Sequence, residues 1–336
     1  MKLAILDGYR FPGDTFPEPL RVARDNGFEF VAGNAHSEGE IVEIGQDADG
    51  LLVVYLPINE PLLKKMPRVK VIVRTGVGYD NFDLDGATKA GVIACNVPDY
   101  GVGEVATAAT AMLLALERKL LTFTTQLHKG NWDDGYGYTM YRLTNRVVGF
   151  VGFGRIARQT ARFLTAFGYR FIAYDPYLPK DVFTECNVEG VGLDDVLTAS
   201  DAVFLMTPLT SETHHLINSR NLARMKKGVL IINTARGQLI NIPDLVEALK
   251  SGHVRGAALD VFEEEPIKDP SFSLWQFENV IATPHTAYRS EESFMALKTM
   301  ATETLVNLLT GRREPYNVVN PDVLKGPNRL SESLRA

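Results

Sequence analysis

At 336 residues, the chain is long for one hydrophobic core and comfortable for two domains. A formal net charge of −6 leaves no basic face, which argues against nucleic acid as the main partner and against long-range attraction of an anion. Two cysteines, Cys95 and Cys186, make no disulfide framework and fit a reducing compartment.

The opening run Met1–Asp7 turns acidic too soon for a signal peptide. The longest apolar stretch, Val105–Leu116, has 12 residues, against the ~20 that a membrane span needs. The expected location is therefore cytoplasmic, with no membrane partner. The first hundred residues alternate short strands with helical or loop connectors. Lys2–Asp7, Phe28–Ala32, Gly50–Tyr55, Val69–Arg74 and Val92–Val97 are almost continuously apolar, as strands covered on both faces should be. Connectors such as Leu84–Ala90 stop at a glycine, here Gly91. This half reads as a small doubly wound domain.

After a break at Pro98–Gly101, a single long helix is expected from Glu104 to about His128, closed by Gly130. The loop that follows carries Trp132, Tyr136, Tyr138 and Tyr141. From Arg146 a stronger alternation begins, with six strands expected at 147–152, 169–174, 202–207, 228–233, 256–260 and 280–283. Helices are expected between them at Arg155–Phe167, Leu193–Ala199, Ser219–Met225 and Ile242–Ser251. The fold class is thus α/β, with two doubly wound parallel-sheet domains. The last helix, Glu291–Thr310, should return to the first domain, giving 1–100 plus 290–336 and 101–289 as the two domains. The polar tail 322–336 reads as loose.

Val147–Ala157 places G-x-G-x-x-A directly after an apolar strand and at the start of a helix. Gly152 permits the tight turn, Gly154 lets backbone approach a pyrophosphate, and Ala157 allows close helix–strand packing. Arg155 and Ile156 open that helix, whose N-terminus favours phosphate. After 17 further residues, the next strand ends at Asp175. A carboxylate there accepts both ribose hydroxyls and repels a 2′-phosphate, and Pro176-Tyr177 follow rather than an arginine. The cofactor expected is NAD.

Three polar residues follow other strands: Arg236 in Asn233–Gly237, Glu265 in Asp260–Pro266 and His285 in Thr283–Ala287. Ligands of open α/β sheets bind beyond the carboxyl ends of the strands, so the three should converge. An arginine, a carboxylate and an imidazole suit an anionic substrate whose oxygen gains or loses a proton. In the first domain, the glycines of Thr75–Asp80 suit an anion nest of backbone amides. His214 and His215 lack further ligands at metal-binding spacing and read as solvated loop or helix-start residues; no metal is expected.

These motifs, in this order, resemble the NAD-dependent D-2-hydroxyacid dehydrogenase family over nearly the full length. Cys95–Pro98, Arg255–Val261 and Thr283–Tyr288 are most similar to its branch containing the C-terminal-binding proteins. The resemblance implies a flavodoxin-like substrate domain, a Rossmann NAD-binding domain and a cleft between them. It implies that His285 is the general acid/base, that Glu265 rather than Glu263 or Glu264 supports it, and that Arg236 holds and polarises the substrate. Val77 and Gly78 would take the substrate carboxylate, with Arg74, Tyr55, Leu56 and Tyr288 around the substrate. Val102, Thr207, Pro208, Thr234, Ala235, Arg236, Asp260 and His285 would line the NAD site, Asp260 accepting the nicotinamide carboxamide. The partner implied is a small anionic 2-hydroxy or 2-keto acid, and a homodimer through residues 104–145 is expected.

Two positions depart from the family pattern. Asn145 stands where a glycine is usual, and asparagine tolerates the left-handed conformation that the turn needs. Leu56-Pro57 replaces a commoner polar pair, which alters the pocket. The rival readings are an NAD-gated interaction module resembling the corepressors of that branch, and oxidation of formate or phosphite on the same fold. The intact Arg236, Glu265 and His285 favour the hydroxyacid dehydrogenase.

Overall fold

The computed structural model describes residues 1–8, 17–132, 139–312 and 317–335, which form two compact units. The first comprises Met1–Gly101 and Ser290–Ala336, the second Val102–Arg289.

In the first unit, β1 (Lys2–Ile5), β2 (Glu29–Ala32), β3 (Gly50–Val53), β4 (Val71–Arg74) and β5 (Ile93–Cys95) form a parallel sheet of order β2-β1-β3-β4-β5. Alternate residues feed opposite cores. Leu3, Ile5, Leu52, Val71 and Val73 enter one cluster, whereas Ala4, Leu6, Leu51, Val53 and Ile72 enter the other. A strand sandwiched this way must be apolar at every position, which is why these runs stood out. Helix Glu291–Leu309 covers one face through Leu297, Ala301, Leu305 and Leu309.

The tail is anchored rather than loose. Asn320 accepts the Ala94 amide at 2.8 Å and donates to the Val92 carbonyl at 3.0 Å, completing the edge of β5. Arg329 donates to the carbonyls of Met66 and Val69 at 2.9 Å each, and helix Arg329–Arg335 follows from it. These side chains satisfy backbone groups, and Val323 and Leu330 of the same segment are buried in the core beneath it.

The second unit holds a sheet of seven strands, one more than the sequence predicts. Its strands are β6 (Val147–Val151), β7 (Arg170–Tyr174), β8 (Glu189–Gly190), β9 (Ala202–Leu205), β10 (Val229–Asn233), β11 (Val254–Leu259) and β12 (Val280–Ala282). All pair in parallel, in the order β12-β11-β10-β9-β6-β7-β8. The extra strand, β8, is a two-residue edge too short to show a pattern.

The expected long helix is two, Val102–Glu117 and Leu120–His128. Lys119 between them takes a left-handed conformation (φ 53°), ending the first helix beside a buried ion pair. There Glu117, fully buried, meets Arg255 at 2.6 Å and Arg146 at 3.4 Å, with the Tyr141 ring over both guanidiniums. Asn145 does adopt the left-handed conformation (φ 67°) expected of it. Tyr136 and Tyr138 of the aromatic loop lie outside the described residues. Among the described residues, no helix is long and apolar enough to cross a membrane.

Candidate active site

In the second sheet the strand order reverses between β9 and β6, and the loops leaving those two strands meet. Gly152, directly after β6, has φ +85°, and a Cβ there would lie 2.5 Å from the Met206 carbonyl oxygen. Its lack of a side chain is what lets the turn seat against Met206-Thr207. Gly154 is different: it is exposed, and a Cβ there would meet nothing within 4 Å. The protein's own packing does not require glycine at 154, whereas close approach of a ligand does.

Helix Arg155–Leu164 starts at this point with no side-chain cap, so its first-turn amides remain to be satisfied. It carries no acidic residue in its first turn, and Arg155 and Arg158 sit at the positive end of its dipole. That arrangement opposes the ordinary charge preference and suits a bound phosphate anion. Ile156 lies half-buried behind Arg155. Asp175, at the end of β7, accepts the Phe153 amide at 3.0 Å and the Tyr177 amide at 3.1 Å. Thr207 and Pro208 continue from β9, with the Pro208 carbonyl held by Thr213 at 2.8 Å. This glycine turn, helix end and acid fit the two phosphates and ribose of a dinucleotide. Val102 begins helix Val102–Glu117 and is half-buried.

The polar residues after β10, β11 and β12 are joined by short contacts. Fully buried Asn233 accepts the Ala235 amide at 3.0 Å and donates to the Arg236 carbonyl at 2.8 Å, fixing the turn Thr234–Arg236. The Arg236 guanidinium donates to the Ala235 carbonyl at 2.8 Å. At the next residue, Gly237, a Cβ would lie 1.9 Å from the Phe262 carbonyl carbon, so this turn abuts the Phe262-Glu263 backbone. Of the three consecutive glutamates, Glu265 reaches His285, with Oε2 2.7 Å from Nδ1, and its Oε1 accepts the Phe262 amide at 2.9 Å. Burial pushes the Glu265 carboxyl up. The hydrogen bond and charge of His285, the Phe262 amide and Arg236 together outweigh it and hold the carboxyl below its ordinary value.

His285 is a non-glycine residue at φ 55°, an uncommon conformation that its neighbours fix. Its amide bonds the Asp260 carbonyl at 2.8 Å. The Asp260 carboxylate, 1% exposed, accepts Thr283 Oγ1 at 2.5 Å and the amides of Thr286 and Ala287 at 2.9 and 3.0 Å. Burial raises the Asp260 carboxyl above its ordinary value despite these bonds. The carboxylate therefore serves the turn that carries His285. The Tyr288 ring stands edge-on to His285 at 6.4 Å between centroids.

Sequence reasoning did not find a partner for one histidine here. His215 lies in the turn after β9, and its Nε2 is 2.5 Å from Glu263 Oε1, with both side chains one-third exposed. The chain order His215, Glu263, Glu265, His285 gives no local signal for this contact, since 48 residues separate His215 from Glu263. Among the described residues, no group of His, Cys, Asp and Glu is placed to hold a metal.

In the first unit, the other candidates gather after β3 and β4. The Arg74 guanidinium, 8% exposed, lies 5.3 Å from the Tyr55 ring centre. In the next loop Val77 is exposed and Gly78 half-buried, with the Val77 carbonyl held by Asn96 at 2.7 Å. Sequence reasoning missed Asp7, fully buried after β1. Its carboxylate accepts the amides of Val54, Tyr55 and Leu56 at 2.8, 2.6 and 3.2 Å, setting the backbone that presents Tyr55 and Leu56.

Residues 110–287 match the family model described as D-isomer specific 2-hydroxyacid dehydrogenase, NAD binding domain. The chain is 40% identical over 283 residues to a D-3-phosphoglycerate dehydrogenase of Methanocaldococcus jannaschii, covering 84% of this chain and 53% of that protein. It therefore spans about half the length of that relative. It is 36% identical over 296 residues to a glyoxylate reductase of Korarchaeum cryptofilum, covering 86% of this chain and 88% of the relative. Among solved structures, the D-lactate dehydrogenase of Aquifex aeolicus complexed with NAD and lactic acid aligns with a TM-score of 0.83 at 28% identity. That alignment covers 98% of this chain and 100% of the other.

Proposed function

We propose, from the premise that this chain belongs to the family of D-isomer specific 2-hydroxyacid dehydrogenases, NAD-dependent oxidoreductases, that it interconverts a small D-2-hydroxy acid and its 2-keto acid. The observation that carries this reading is the Glu265–His285 pair, held at 2.7 Å beside Arg236. When bound, NAD supplies the hydride acceptor or donor. Gly152, Gly154, Arg155, Ile156 and the amides of the following helix would hold its phosphates. Asp175 would take the ribose, and Val102, Thr207, Pro208, Thr234 and Ala235 would line the rest of the site.

With Nδ1 of His285 committed to Glu265, Nε2 is the nitrogen that meets substrate. In the reducing direction it delivers a proton to the keto oxygen, and Glu265 stabilises the imidazolium before transfer. In the oxidising direction the same nitrogen takes the hydroxyl proton. Arg236 pairs with the substrate carboxylate and draws electron density from the carbonyl oxygen, which a planar guanidinium does through two parallel donors. The resemblance adds Val77, Gly78, Arg74, Tyr55, Leu56 and Tyr288 as substrate-contacting positions. The test is reduction of a panel of 2-keto acids, glyoxylate and pyruvate included, by NADH. Replacement of His285 or Arg236 by alanine should slow the preferred substrate by ~100-fold or more. Unimpaired turnover in either variant overturns the reading.

We also propose a homodimer through residues 104–145. Leu120, Leu121, Leu127 and Trp132 are 57, 42, 51 and 90% exposed, more apolar surface than one short helix and its exit would leave to water. Glu278 steadies that helix by accepting Gln126 at 2.8 Å and pairing with Lys129. Light scattering of wild type and of Leu121→Glu checks it; a monomeric wild type refutes it.

A further inference from the structure

We infer that His215 and Glu263 form a positioning pair, a second histidine–glutamate contact that holds Glu265 in register with His285. The inference rests on the proposed role of His285 and adds residues to it. Three loops leave the sheet after β9, β10 and β11, and each contributes to one small network. From the first comes His215, at φ 49°, whose amide bonds the Gln238 carbonyl at 2.8 Å. From the second come Gln238 and Asn241, directly after the Arg236 turn. From the third comes Glu263, two residues before Glu265.

The contacts fix each partner's state. Asn241 uses its oxygen to accept the Asp244 amide at 3.1 Å, so its NH2 faces His215 Nδ1 at 3.5 Å. With a donor facing Nδ1, the proton of a neutral ring sits on Nε2 and is given to Glu263 at 2.5 Å. Gln238 donates to the main-chain carbonyl of Glu263 at 3.1 Å, and the Asn218 amide donates to the His215 carbonyl at 2.9 Å. The Glu263 side chain and backbone are thus both tied to neighbouring loops.

Rigid backbone carries this to the chemistry. Phe262 and Glu263 are pressed against Gly237 with no space between, so the Arg236 turn and the glutamate turn move as one body. Inside that body the Phe262 amide holds Glu265 Oε1, and the other oxygen faces His285. Releasing Glu263 frees the turn at the residue before last. His285 is faced by Glu265, by the Asp260 carboxylate below its turn, and by the Tyr288 ring; Arg236 faces Glu265. Loosening the turn therefore weakens a carboxylate contact to His285 and leaves Asp260 in place.

The pair is tested with His215→Ala, Glu263→Ala, the double variant and Glu263→Gln, which keeps an acceptor for the imidazole N–H. Keto-acid reduction with NADH gives one readout, and the NMR signal of the His285 Nδ1 proton shared with Glu265, assigned by its loss in His285→Gln, gives another. The expected result is a fall in kcat of ~10- to 100-fold in each alanine variant, since small misplacements of catalytic groups cost this much. The double variant should be no worse than the worse single variant, and Glu263→Gln should recover most of the rate. The His285 Nδ1 proton signal should move upfield and broaden in both alanine variants as its hydrogen bond to Glu265 loosens, while NADH affinity stays within about twofold. An unmoved signal, or effects that multiply in the double variant, overturns the pair. A wild type that reduces no keto acid, yet shows the moved signal in the variants, would instead refute the proposed reaction and leave the pair standing.

Discussion

Asp260 grips His285 by the backbone: its carbonyl accepts the His285 amide at 2.8 Å, while its carboxylate bonds the amides of the next two residues. Asparagine at 260 offers one oxygen where two are used, and its NH2 would face an amide donor. Asp260→Asn should cost about 1–3 kcal/mol in urea denaturation and lower kcat more than it raises KM. Unchanged kcat would show that the turn tolerates the loss.

The carboxyl of Glu265 is held low in the folded protein, so folding is favoured by its ionisation. This contribution is complete above the unfolded value, ~4.3, and disappears as pH falls through the lowered folded value. Melting temperatures of wild type and Glu265→Gln should therefore differ most above about pH 5 and converge toward pH 3. A gap that stays constant over that range would contradict the assignment.

Two glycines of the cofactor turn should separate stability from binding. Gly152→Ala forces a methyl into the Met206 carbonyl at a positive φ, and should destabilise by about 1–3 kcal/mol. Gly154→Ala points into open space and should leave the melting temperature nearly unchanged while weakening NADH. Titration by fluorescence checks the affinity; equal affinities for wild type and Gly154→Ala would remove the phosphate-approach argument.

Asp175→Ala should weaken NADH and narrow the preference over NADPH, because the repelling carboxylate is gone. Rates with both cofactors give the ratio. The variant also loses the bond to the Phe153 amide, so some thermal destabilisation accompanies it.

Replacing Glu117 by alanine leaves Arg255 and Arg146 buried beside no carboxylate at that position, and should cost about 3–5 kcal/mol. Chemical denaturation measures this. A loss below about 1 kcal/mol would mean that water reaches the two guanidiniums.

How much of this was legible follows from where each signal resides. Strands such as Val229–Asn233 are buried on both faces, so their apolar runs are visible without any partner in view. The break at Lys119 was invisible because lysine is an ordinary helix residue; two residues before it Glu117 is paired with Arg255, 138 residues away. The tail is anchored by Asn320 and Arg329 bonding to backbone groups, contacts with no periodicity, and by Val323 and Leu330, two buried residues too sparse to form a pattern. Arg236, Glu265 and His285 showed as polar residues at strand exits, yet the choice of Glu265 among three glutamates needed a family resemblance. Asp7 escaped notice because its partners are main-chain amides some 47 residues on, and His215 because nothing in its neighbourhood names Glu263.

The return of helix Glu291–Leu309 to the first sheet has a consequence for synthesis. Val102–Arg289 is continuous and can close its sheet as it emerges from the ribosome. The strands of residues 2–95 emerge earlier but lack the helix that seals one of their faces until roughly 210 more residues have been made. At ~5–20 residues per second that is a wait of tens of seconds with one apolar face uncovered. The half of the chain that is translated first is thus the half that finishes folding last, and chaperone dependence should concentrate there.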